Sequence, residues 1–244
     1  MFNVEKTKDE IVNWIRNYFE ENGKGCNAIV GISGGKDSSI VASLCVEALG
    51  KERVIGVLMP QGEQHDIGYS QDLIKHLGIK SLTVNIKPCV SSIFKALRKG
   101  NEIKINKQAK INTPARIRMT MLYAVSASLN GRVANTSNLS EDFVGYSTKY
   151  GDSAGDFSPL SQLTATEVKQ IGKALKLPAK FIDKIPEDGL SGKTDEANLG
   201  FSYDVLDKYI REGVCQDKKI KRKIDKLHNA NLHKSALIPS YDMR

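Results

Sequence analysis

AIVGISGGKDSS, residues 28–39, opens with three apolar residues suited to a buried strand and then turns through a glycine pair. It leads into Ile40, Val41, Leu44 and Ala48, which recur at helical spacing as far as Gly50. Strand, glycine loop and helix form the repeating unit of parallel α/β sheets. Working outward, residues 53–58 (RVIGVL) read as a second strand, residues 66–77 as a helix stopped by Gly78, and residues 81–86 (SLTVNI) as a third strand. Thr113 as N-cap with Pro114 behind it predicts a long helix through Leu129, and residues 132–135 follow as a fourth strand. Upstream, Thr7 with Glu10 fits a capping box for a helix whose Ile11, Trp14, Ile15, Tyr18 and Phe19 share one face. Thr164 with Glu167 fits another, continued by Val168, Ile171 and Leu175. The expected fold is α/β: a doubly wound, mainly parallel sheet flanked by helices, with residues 1–244 as one domain. The Gly- and Ser-rich pieces at 151–161 and 187–200 are expected to be mobile loops.

Composition narrows the function classes. With 40% apolar residues in 244 there is enough material for one good core. No apolar run approaches the roughly 18 residues that span a bilayer, and acids stand in the N-terminal stretch where a secretory signal would be apolar. No membrane association and a cytoplasmic location are expected. Cys26, Cys45, Cys89 and Cys215 form no CxxC pair and have no zinc-like histidine spacing. A formal charge of +8 suits a polyphosphate substrate as well as it suits nucleic acid, so charge alone does not decide between them. The basic helix at 217–230 sets Ile220, Ile224 and Leu227 on one face and reads as an amphipathic surface helix.

The loop itself is neither of the two common nucleotide motifs. Only three residues separate Gly31 from Gly35 and Asp37 follows Lys36, which excludes a Walker A loop; no third glycine completes a dinucleotide fingerprint. Gly34 and Gly35 still permit a tight turn and a close backbone approach, and the helix behind them offers its free amides to an anion. Ser33 and Ser38 add hydroxyls and Lys36 adds a charge, whereas Asp37 beside phosphate makes sense with a divalent cation between them. The loop reads as a cradle for a metal-bridged polyphosphate.

The run resembles the SGGxDS signature of the ATP pyrophosphatases, which split ATP to AMP and pyrophosphate. Three further stretches resemble one branch of that superfamily, the ammonia-dependent NAD synthetases. NTPARIRM at 112–119 is similar to their NxxARxRM, and NTSNLSEDFVGYSTKYGDSAGD at 135–156 matches GTxxxxExxxGFxTKxGDxxxD in spacing. TDEANLGFSYDVLDKYI at 194–210 resembles DExxLGxxYxxID, and His233-Lys234 matches a pair near the C-terminus.

The resemblance implies an adenine nucleotide alpha hydrolase-like fold and a set of roles. Gly31, Ile32, Ser33, Gly34, Gly35, Lys36, Asp37, Ser38, Thr136 and Glu187 would bind ATP. Asp37 and Glu141 would hold Mg²⁺, and Arg116, Lys149, Asp156, His233 and Lys234 would bind deamido-NAD. Singly, Arg116 reads as a helix-surface cation and His233-Lys234 as a basic tail; the joint spacing carries the inference. The implied reaction is adenylation of the nicotinate carboxylate, then attack by ammonia to give NAD, AMP and pyrophosphate, with no protein nucleophile. A glutamine-using enzyme would need an attached amidase domain, so free ammonia is the expected nitrogen source. A homodimer is implied, with the 113–129 helix in the contact, and no nucleic-acid partner.

The chain departs from the family pattern at three points. Ala165 stands where many members have a lysine near ATP phosphate, and Lys169, one helical turn on, is the expected substitute. Glu187 stands where Thr or Ser is usual, and Asn135 replaces a glycine, a change expected to matter little. The rival readings are an RNA-modifying ATP pyrophosphatase that adenylates a tRNA base and a nucleotide sensor without turnover. Paired catalytic cysteines or an added RNA-binding domain would mark the first, and Asp37 with Glu141 argue against the second.

Overall fold

The computed structural model describes residues 2–101, 103–184 and 194–242. Four short strands, β1 (Asn27–Gly31), β2 (Val54–Leu58), β3 (Lys80–Thr83) and β4 (Gly131–Ala134), form one sheet in the order β3-β2-β1-β4. Every pairing is parallel, with Val30 of β1 opposite Gly56 on one side and Ala134 on the other. The helices in chain order are α1 (Val4–Asn22), α2 (Lys36–Leu49), α3 (Ile67–Leu77), α4 (Lys87–Arg98), α5 (Lys107–Ser128) and α6 (Leu139–Val144). They continue as α7 (Ala165–Ala174), α8 (Ala179–Ile182), α9 (Asp195–Leu199), α10 (Tyr203–Glu212) and α11 (Lys218–Asn231).

Side-chain alternation sorts the strands between two cores. Ala28, Val30, Val54 and Leu58 face α1, α2 and α7, where Ile15, Phe19, Ile40, Leu44 and Ile171 are buried. Ile29, Ile55, Val57 and Val133 face the other way, onto Val90, Met119 and Leu122 of α4 and α5. Helices therefore cover both faces of a parallel sheet, as the near-continuous apolar strands require. A third cluster, with Val144, Leu199, Tyr203, Leu206 and Ile224, joins α6, α9, α10 and α11 beside the sheet. The order reverses at β1, so the loops after β1 and β4 part and leave a crevice at the carboxyl ends, where ligands collect in doubly wound sheets.

Local signals set most boundaries, and the exceptions are instructive. The Thr164 and Glu167 capping box opens α7 as expected. Thr7 caps nothing: α1 begins earlier behind Asn3, whose side chain accepts the Lys6 amide at 3.1 Å, and Thr7 lies inside the helix. Likewise α5 starts behind Asn106, not Thr113, and carries Pro114 in its interior, where the ring gives no amide to the carbonyl four residues back. The third strand ends at Thr83 instead of Ile86, because the chain leaves the sheet to enter α4, an element whose helical spacing escaped the sequence reading.

The segment at 151–161, expected to move, is pinned to the end of β4 by the side chain of Asn135. Its Nδ2 donates to the carbonyls of Asp152 and Ala154 at 2.8 and 2.9 Å, and its Oδ1 accepts from Ser137 N and Ser158 Oγ. Phe157 and Leu160 of the segment are buried. The exchange of glycine for Asn135, expected to matter little, supplies this anchor. Part of the second expected loop is also ordered, since residues 195–199 form α9 behind the Thr194 cap; Glu187 lies outside the described residues.

Candidate active site

The loop after β1 turns at Gly34, whose φ of +82° lies in the left-handed region and whose missing side chain leaves room for Ser70 Oγ, 3.0 Å from where a Cβ would stand. Gly35 then caps α2 without any side-chain bond to the helix amides, which leaves them for a ligand. Ser33 Oγ and Ser38 Oγ lie 3.1 Å apart, and Ser38 and Ser39 both donate to the Gly35 carbonyl, so the turn is braced from within. Gly31 and Ile32 sit behind it in the sheet, with the Ile32 amide given to Val57.

Lys36 does not wave in solvent. It is 3% exposed, its Nζ donates to Asp37 Oδ2 at 2.7 Å, and Asn138 Nδ2 donates to Asp37 Oδ1 at 3.1 Å. Asn138 also heads α6, where its Oδ1 accepts the Glu141 amide and Glu141 Oε2 accepts the Asn138 amide in a reciprocal capping box. Asn138 thus ties together the two carboxylates that the motifs singled out. Sequence reading missed it, although the Asn-x-x-Glu pattern in NLSE was there to find.

Burial and then the Asp37 charge hold the Glu141 carboxyl well above its ordinary range, with Lys36 opposing. Burial pushes the Lys36 ammonium down, yet Asp37, Glu141 and Asp195 outweigh it and the net shift is upward. Asp37, Glu141 and Asp195 all act on the one buried ammonium of Lys36, and a further cation beside Asp37 and Glu141 would favour the charged form of Glu141. Among the described residues no three His, Cys, Asp or Glu side chains are arranged to hold a metal by themselves. Asp37 and Glu141 fit a magnesium ion that takes its remaining oxygens from phosphate or water, as hard cations of this size usually do.

Two cavities flank this centre. The smaller, about 240 Å³, is lined by Ser33, Gly35, Asp37, Ser38, Thr136 and Glu141, with Ser137 and Asp152. The larger, about 460 Å³, includes Trp14, Asn135, Asp142, Ser153, Asp156 and Lys234 in its wall. Neighbours in sequence face opposite cavities: Asn135 and Thr136, Glu141 and Asp142, Asp152 and Ser153. The end of β4, the start of α6 and the turn at 152–153 therefore form a common wall, with carboxyl groups on both sides.

The expected acceptor residues come together in part. Arg116 Nε donates to the Lys149 carbonyl at 3.2 Å, and Lys149 Nζ to the His233 carbonyl at 2.5 Å, which links α5, the 145–152 turn and the C-terminal segment. Lys234 Nζ is held by the carbonyls of Gly145 and Ser147, and the Asp156 carboxylate accepts from Val133 N and Tyr123 OH. Lys234 and Asp156 thus brace backbone while lining the larger cavity. Lys169 is exposed and Ala165 is buried in the third core cluster, so the buried cation at this centre is Lys36.

Fold and site together define a doubly wound α/β protein with an anion cradle and paired carboxylates at the switch point of its sheet. A model of the NAD synthase family matches residues 7–240. The chain belongs to the NAD synthase family. The NH(3)-dependent NAD(+) synthetase of Pyrococcus horikoshii is 40% identical over 203 residues, covering 83% of this chain and 77% of that protein. The protein of the same name in Methanocaldococcus jannaschii is 40% identical over 215 residues, covering 84% and 82%. Among solved structures, NMN synthetase from Francisella tularensis superposes with a TM-score of 0.90 at 30% identity over 100% of both chains. The NH3-dependent NAD synthetase of Campylobacter jejuni does so with a TM-score of 0.79 at 28% identity, over 99% of this chain and 100% of that one.

Proposed function

We infer that the protein is an ammonia-dependent NAD synthetase, a carbon–nitrogen ligase that converts deamido-NAD, ATP and ammonia to NAD, AMP and pyrophosphate. The observation that carries this reading is the meeting of Asp37 and Glu141 through Asn138 beside the open amides of α2, in a chain of this family. ATP takes the smaller cavity, with Gly31, Ile32, Ser33, Gly34, Gly35, Lys36, Asp37, Ser38 and Thr136 around its phosphates. The acceptor takes the larger cavity and its rim, with Arg116, Lys149, Asp156, His233 and Lys234.

In the first step the nicotinate carboxylate attacks the α-phosphorus, the bond to the β-phosphate oxygen breaks, and pyrophosphate leaves. The Lys36 ammonium and the amides of α2 stabilise the charge that gathers on the leaving group. Mg²⁺ held by Asp37 and Glu141 would supply further neutralisation of the polyphosphate. In the second step ammonia adds to the acyl-adenylate carbonyl and AMP departs, leaving the amide. The protein contributes position and charge, and no side chain forms a covalent bond.

The chain working as one unit, in the cytoplasm and as a homodimer, is part of the proposal. Tyr123 and Leu129, partly exposed in and just after α5, offer apolar surface to a second copy. Among the described residues no helix is long and apolar enough to cross a membrane.

A second reading concerns only the acceptor. The protein that superposes with a TM-score of 0.90 is named NMN synthetase, which brings a mononucleotide carboxylate into consideration for the same site. One experiment tests both. The protein is incubated with MgATP and ammonium and with either deamido-NAD or nicotinate mononucleotide, and AMP, pyrophosphate and amide are followed. Equimolar AMP, pyrophosphate and NAD support the first reading, and a higher kcat/KM with the mononucleotide supports the second. ADP formation, or no amide from either acceptor, overturns the ligase reading.

A further inference from the structure

Among the described residues, the phenol oxygen of Tyr203 is the buried side-chain polar atom without a hydrogen-bond partner. The residue is 8% exposed and firmly placed: it is the first residue of α10, Glu196 Oε1 accepts its amide at 2.8 Å, and it belongs to the cluster of Leu199, Leu206 and Ile224. The Nζ of Lys36 stands 5.9 Å from the centre of its ring. The carboxylates acting on the phenol are Glu141, Asp195 and Asp37, the same three that act on Lys36. Phenol ring and ammonium are therefore neighbours acted on by the same three carboxylates, although they come from α10 and α2.

A buried hydroxyl with no partner costs stability, and phenylalanine would fill the same space without that cost. A phenol keeps its proton at neutral pH and so is a neutral donor. It adds a hydrogen bond without adding charge. At a centre already holding three carboxylates, that is what an anionic ligand requires of a residue that must also be buried before the ligand arrives.

We propose that Tyr203 is a phosphate-binding residue whose hydroxyl donates to an oxygen of the pyrophosphate leaving ATP, beside Lys36. This rests on the assignment of ATP to the smaller cavity. The proton stays on the phenol throughout, and only the hydrogen bond forms and breaks.

The test compares the whole protein with Tyr203→Phe in three measurements. Without ligand, the melting temperature of Y203F is expected to equal or exceed that of the wild type, because an unsatisfied hydroxyl has been removed. Affinity for magnesium pyrophosphate, measured by titration calorimetry, is expected to fall about tenfold, the loss of one good hydrogen bond. Pyrophosphate release under turnover is expected to slow by about ten- to a hundredfold. A drop of several degrees in the melting temperature of Y203F would show that the hydroxyl serves a protein partner, and would overturn the proposal. So would unchanged pyrophosphate affinity together with unchanged turnover. Wild-type protein that binds magnesium pyrophosphate but makes ADP would overturn the ligase reading alone, leaving the calorimetric comparison to judge Tyr203.

Discussion

Asn138 donates its side-chain amide to Asp37 Oδ1 at 3.1 Å and so joins the first turn of α2 to the loop after β4. The same side chain accepts the Glu141 amide, which makes it both a helix cap and a spacer between two carboxylates. Asn138→Ala should lose about 1–2 kcal/mol of stability from the cap and the buried bond. Turnover should fall more than the stability loss accounts for, because Asp37 is freed to rotate. Urea unfolding and the rate of pyrophosphate release, measured side by side, check this; an unchanged rate would remove Asn138 from the site.

Asp37→Asn should abolish turnover, by at least a hundredfold, and should also weaken the fold. Lys36 is 3% exposed and paired with Asp37 at 2.7 Å, so the substitution leaves a buried ammonium without its nearest counter-charge, at a cost of roughly 3 kcal/mol. Adding Lys36→Met to that variant should recover much of the stability and none of the activity. Denaturant midpoints of the single and double variants, with their turnover, separate the two effects.

Glu167 gives a pH dependence with a definite sign. Burial raises its pKa, but the Arg211 guanidinium and the Thr164 amide outweigh burial and hold the carboxyl below its ordinary value. A depressed carboxylate contributes stability that is complete above its unfolded pKa of about 4.5 and is lost as pH falls through the lower folded value. Glu167→Gln should therefore be less stable than the wild type at pH 7, by about 1–3 kcal/mol, with the gap closing toward pH 3. Urea unfolding across that range measures it.

Gly145→Ala should undock the C-terminal helices. Gly145 has a φ of +64°, and an added Cβ would fall 2.1 Å from Asn231 Cβ at the end of α11. Strained backbone and overlap together should cost more than about 2 kcal/mol. Because Lys234 is bonded to the Gly145 carbonyl, KM for the acceptor should rise more than KM for ATP. Equal rises would argue that Lys234 lies away from the acceptor.

What the chain disclosed by itself was the part governed by local physics. Short apolar runs marked the four strands and helical spacing marked the helices after β1 and β2, while α4 after β3 went unread, and the glycine loop with Asp37 announced a metal-bridged polyphosphate before any partner was visible. The motif spacings placed the chain in its family. Boundaries failed where two caps competed, as at Asn3 against Thr7 and Asn106 against Thr113, because either could start a helix and packing chose. Tertiary structure alone decided that β4 lies beside β1, and with that pairing that Glu141 meets Asp37 across a long stretch of chain. It alone turned Asn135 into an anchor, buried Lys36, and left the Tyr203 hydroxyl without a partner among the described residues. Such features depend on which strands pair and on where side chains end in space, and residue spacing along the chain carries neither.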